Sequence, residues 1–147
     1  MSQQIKVYRE LQLLDKGIIT TNKDMVIVDD ELVSKKTQTA VTNTDTITAA
    51  QLITGVLDGT PTAAATYTLP TAALLVARIA NCKVGSSFLV VVNNKSAGAY
   101  TITVAAGTGG TADGTLTVAQ HVIRAFLVII TNVTSGSEAY SVYGLGT

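Results

Sequence analysis

Tryptophan is absent from this sequence, cysteine and histidine occur once each, and proline occurs twice in 147 residues. Each scarcity removes a class of function. The lone Cys82 can form no internal disulfide and no metal-ligand pair, and a free thiol fits assembly inside a cell. A nucleophile needs a base and an orienting group within reach, and Cys82 and His121 supply no such set. His121 is expected at a strand end and Cys82 as a small buried apolar residue. Ten basic and ten acidic residues cancel, so nothing favours nucleic acid or an anionic membrane as partner. No apolar run approaches the roughly 18 to 20 residues of a membrane span. The opening Ser2, Gln3 and Gln4 are polar rather than the start of an apolar leader.

The motifs that remain favour structure over chemistry. Asp45, Asp58, Asp113 and Glu138 form no local acid pair for general acid–base work. Asp58 and Asp113 each stand in Asp-Gly-Thr, isolated from other acids, which predicts turns rather than a calcium site. Gly107-Thr-Gly-Gly-Thr-Ala112 fits a nucleotide-binding pattern, but that mechanism needs a helix N-terminus after it. Asp113-Gly114 and another strand follow here, so a loop is expected. Asn94-Lys-Ser96 and Asn132-Val-Thr134 match the glycosylation acceptor pattern and are read as chance without a secretory leader. No cofactor, metal or enzymatic activity is expected. The absence of tryptophan argues against a carbohydrate platform. Tyr140 and Tyr143 fall on opposite faces of one strand, leaving one for the core and one for the surface.

What the chain does have is β-strand pattern and threonine. His121 to Val133 alternates so that Val122, Phe126, Val128 and Ile130 line one face while Ile123, Ala125, Leu127 and Ile129 line the other. Both faces are apolar, which predicts an interior strand covered on both sides. Short strands are expected within 47–57, ended by the turn Asp58-Gly59, and over 64–69, stopped at Pro70. Strands over 86–92 and 99–105 flank Asn93 to Gly98, which reads as a hairpin turn. A loop over 107–114, a short strand at 115–118 and a closing strand at 139–143 complete the body. One helix is expected over 71–81, with Thr71 as its cap and Asn81 as its end.

Charge is unevenly spread. Residues 1 to 36 hold six basic and six acidic groups, 12 of the 20 in the chain, while the other 111 residues carry eight. A mixed-sign segment before a charge-poor β body predicts an N-terminal arm over 1–36 and a β domain over 37–147. The apolar arm residues Ile5, Val7, Leu11, Leu13, Met25, Val26 and Val28 cannot be buried by an isolated arm and are expected to pack against the body or another chain. The fold class follows as mainly all-β: an antiparallel β-sandwich or jelly-roll-like body with one short helix and an extended arm.

Four stretches carry a family resemblance: Thr60 to Val76, Val84 to Asn94, Ala97 to Gly110 and Arg124 to Tyr140. Together they resemble modules in capsid decoration (cement) and fibre-like proteins of double-stranded DNA viruses and bacteriophages. The resemblance covers roughly residues 50 to 145, rests on turns and core strands, and carries over no catalytic residue. It implies a β-sandwich that trimerises on the particle surface, with the major capsid protein as partner and the virion as location. A fibre or spike subunit, with loops 93–98 and 107–114 facing a host glycan, is the other role the resemblance allows.

Overall fold

The computed structural model describes residues 36–146. The strands are β1 (Thr37–Val41), β2 (Asp45–Thr46), β3 (Gly55–Gly59), β4 (Ala65–Thr68), β5 (Ser87–Asn94), β6 (Ile102–Ala105), β7 (Gly110–Asp113), β8 (Thr117–Val118), β9 (Ile123–Asn132) and β10 (Ala139–Gly144). Two helices interrupt them, α1 (Ala49–Thr54) and α2 (Ala72–Arg78). One sheet has six strands in the order β1-β3-β5-β9-β10-β7, the other four in the order β2-β4-β6-β8.

From β1 to β6 the chain passes alternately between the two sheets. Within each sheet the strands of this run are parallel, β1 beside β3 beside β5 and β2 beside β4 beside β6. Parallel neighbours need a long crossover, and here a strand of the opposite sheet supplies it. The run is therefore a flattened coil whose turns stack. Antiparallel pairing enters only later, where β9 joins β5 and β10, and β8 joins β6. β7 closes the larger sheet parallel to β10.

The mostly antiparallel expectation is thus corrected, since five of the eight described pairings are parallel. The hairpin expected around Asn93 to Gly98 fails for the same reason. β5 and β6 lie in different sheets, and the segment between them arches across the core.

Other boundaries move for local reasons. Thr48 accepts from the Gln51 amide while the Gln51 side chain accepts from the Thr48 amide, a capping box that makes 49–54 helical where strand was expected. Gly55 ends α1 in the left-handed conformation (φ 94°), a position that suits glycine. Asp58-Gly59 is not a turn but the end of β3. A Cβ on Gly59 would collide with Ile102 and with the Tyr67 hydroxyl at 2.6 Å, so glycine is there for close approach of the facing sheet. The expected loop 107–114 contains β7. α2 starts at the expected Thr71 cap but stops at Arg78, and Asn81 adopts φ 52° beyond it.

The inner faces of the two sheets share one apolar cluster. Leu57, Val90, Val92, Phe126, Val128, Ile130, Tyr140 and Val142 come from the six-stranded sheet. Ala65, Tyr67, Ile102, Val104 and Val118 come from the other, with Leu52 and Leu75 added by the helices. β9 is interior, as expected, but its two faces differ. Phe126, Val128 and Ile130 are buried, whereas Ala125, Leu127 and Ile129 are half-buried and Ile123 is 66% exposed. Val122 precedes the strand and is exposed. The inner face also holds Arg124, which the reading of two apolar faces passed over.

Candidate interaction surfaces

The arches from the six-stranded to the four-stranded sheet stack at one end of the coil. Thr60 donates its amide to Val41 O (3.1 Å) and Lys95 donates its amide to Gly59 O (2.7 Å). Asn43 Oδ1 accepts from both the amide and the hydroxyl of Thr62 at 3.1 Å. The third arch is tied down by Asn94, which is fully buried. Its Nδ2 donates to Tyr100 O (2.8 Å) and Val118 O (2.9 Å), and its Oδ1 accepts from the Ser96 amide (3.1 Å). Gln120 Nε2 adds a bond to Ser96 O at 3.1 Å. A buried amide satisfied on both ends fixes the arch rigidly against the core.

Between the second and third arches lies a concavity of about 600 Å³ lined by Thr60, Pro61, Thr62, Lys95, Ala97, Gly98 and Tyr100. Tyr100 is 38% exposed and presents an aromatic surface there. The lining Lys95 is held by Asp58, which accepts from Asn93 Nδ2 (3.0 Å) and from Lys95 Nζ (2.7 Å). This is the one salt bridge among the described residues. The site can offer hydroxyls, a stacking ring and a neutralised ion pair.

A second cavity, about 400 Å³, lies where both helices begin and is walled by Ile47, Leu69, Pro70 and Leu74 with the hydroxyls of Thr48 and Thr71. Leu74 is 57% exposed at its side.

The remaining candidates fall into structural places. Ile5, Val7, Leu11, Leu13, Met25, Val26 and Val28 lie outside the described residues. Of the two loops proposed to face a glycan, 93–98 contributes to the larger concavity and 107–114 is half strand. Asp113 Oδ1 accepts from the Gly114 amide and Glu138 Oε2 from the Gly136 amide, both local turn contacts. Asn94 is consumed internally, and Asn132 Oδ1 accepts from the Thr134 amide, so both acceptor patterns serve the fold. His121 is exposed with φ 58°, and Cys82 is half-buried against the core. Among the described residues no group of three or more His, Cys, Asp or Glu could hold a metal.

Beside Asn94, two tyrosines and one arginine carry buried polar chemistry. Tyr67 donates to Val41 O at 2.8 Å across the two sheets. Burial, reinforced by Asp45, pushes its phenol up to about 12. Tyr140 donates to Pro70 O (3.1 Å) and accepts from the Gly107 amide (2.8 Å). Burial raises its pKa and the Gly107 bond partly opposes that. The Arg124 guanidinium donates to Thr117 O (3.2 Å) and to Gly146 O, latching the last described residues to the end of the core. Sequence reading missed Asn93, Lys95 and Asp58 as a unit, because Asp58 and Lys95 are 37 positions apart and meet only through the stacked arches.

The chain matches no family model, no curated protein and no solved structure.

Proposed function

We propose that the chain is a virion structural protein that decorates a capsid and stabilises the shell. In this reading residues 37–147 form a jelly-roll-like sandwich on the particle surface, and the arm over 1–36 clamps it to the major capsid protein or to neighbours. The arm contacts are Ile5, Val7, Leu11, Leu13, Met25, Val26 and Val28. The protein acts as a homo-oligomer, a trimer, with no cofactor and no catalytic step.

One observation carries the reading beyond resemblance. Among the described residues β1 is an edge of the six-stranded sheet, five residues long, in unbroken register with β3 and without charge or proline. Edges of that kind are usually blunted, and an unblunted one is a template for another chain's strand. Many symmetric copies would turn such modest contacts into firm attachment. The test is a binding assay of the full chain on particles stripped of it. Exchanging Val7, Leu11 and Val26 for aspartate should abolish binding, and unchanged binding would remove the arm from the account.

A second reading, a fibre or spike subunit that recognises a host surface glycan, is supported by the concavity around Tyr100. Tyr100→Ala should then abolish signal on a glycan array, and an empty array with folded wild-type protein would end it.

A further inference from the structure

The concavity between the second and third arches has a fixed wall. Gly98 O accepts from the Tyr100 amide (2.7 Å) and from Ser96 Oγ (2.9 Å), while the buried Asn94 ties Tyr100 O to the core (2.8 Å). These bonds hold the backbone that carries the Tyr100 ring. The ring lies directly against Gly98, where a Cβ would stand 2.6 to 3.2 Å from three ring atoms. Glycine allows that close approach, and 38% of Tyr100 stays exposed on the wall of the concavity. Pro61 and Ala97 add apolar wall, and the Thr60 and Tyr100 hydroxyls can both donate and accept. Lys95 gives one ammonium hydrogen to Asp58 Oδ2 (2.7 Å) and has two more to give, with its side chain 49% exposed.

A sugar carries the matching mixture, C–H groups on one face of its ring and hydroxyls around the edge. A flat aromatic ligand would stack on Tyr100 as well, but would leave the hydroxyls and the ammonium unused. We infer that this concavity takes a neutral pyranose, its C–H face on the Tyr100 ring and its hydroxyl oxygens accepting from Lys95 and Thr60. Charge decides against an acidic sugar. Asp58 already neutralises Lys95, so a sialic or uronic carboxylate would meet one anion for the one cation it gained. About 600 Å³ leaves room for a mono- or disaccharide in a site that is already formed. The inference rests on the second reading above, in which this site recognises a glycan, and restricts that glycan to neutral sugars.

Amide NMR of the full chain tests it, with each ligand added to about 50 mM because a ligand of this size binds at millimolar strength. The neutral probes are the methyl glycosides of glucose, galactose, mannose and N-acetylglucosamine, and the acidic ones are a methyl sialoside and a methyl glucuronide. At least one neutral glycoside should shift the amides of residues 59–62 and 95–100 with a dissociation constant of about 1 to 20 mM. Saturation transfer should be strongest at the protons of its C–H face. Tyr100→Phe should keep binding within about threefold, since it loses only a hydroxyl. Tyr100→Ala should weaken binding about 10-fold or more, and the same spectra report whether each variant is folded. Binding of none of the neutral glycosides would overturn the inference, and so would undiminished binding to folded Tyr100→Ala. Preference for the sialoside or glucuronide would overturn it while leaving glycan recognition standing. Neutral-sugar binding by a chain that fails to attach to host cells would uphold it and end the receptor reading.

Discussion

The two sheets of this protein share one core yet meet the outside differently. The four-stranded sheet alternates, with Tyr67, Ile102 and Val104 inward and Thr66, Thr68 and Thr103 outward. That is the pattern of a sheet with one wetted face. β5 and β9 do not alternate. They carry aliphatic residues on both faces, and only the inner ones are buried in the described chain. Among the described residues these two-sided apolar strands are covered on one side only. The comparison separates residues that the core buries from residues that the described chain leaves half-exposed.

The comparison breaks first if inner and outer residues of β9 cost the same. Phe126→Ala on the inner face should cost about 3 to 5 kcal/mol, and Leu127→Ala on the outer face far less in the isolated chain. Denaturant unfolding of both decides it.

The inner face is also sharpened by pH. The Tyr67 phenol holds its proton to about 12 when folded, against about 10 unfolded. The raised acid stabilises the fold fully below pH 10, and the contribution fades as pH rises from about 10 to about 12, by roughly 2 to 3 kcal/mol. Melting temperature should fall across that window, and Tyr67→Phe should flatten the fall at the expense of the bond to Val41 O. Asn94→Ala should cost about 1 to 3 kcal/mol, because Tyr100 O and Val118 O lose their donor, and hydrogen exchange should quicken in the 95–100 arch. The smallest effect belongs to the exposed ion pair. Lys95→Met should change stability by less than about 1 kcal/mol, while the concavity beside Tyr100 loses its cation.

Several of these features were legible in the sequence. The alternation around Phe126 located β9 and the buried row of Phe126, Val128 and Ile130, and Thr71 announced the start of α2. The capping box of Thr48 and Gln51 was equally local and still passed as strand, because Ile47 and Leu52 to Leu57 read as apolar runs of either kind. The winding of β1 to β6 could not be read. Asn93 to Gly98 carries ordinary turn residues, and whether they reverse a strand or arch to another sheet depends on what lies opposite. Gly59 shows the same limit, since its reason is Ile102, far along the chain. The outer face was visible as apolar in Leu127 and Ile129, which the described residues leave half-buried.

The account's central claim is that this is a many-copy virion component. The direct measurement is the number of copies per purified particle, by quantitative mass spectrometry against the major capsid protein. Decoration predicts a count in simple ratio to the capsid subunit, in the hundreds. A few to a few dozen copies would favour a spike or fibre, and absence from particles would contradict the account.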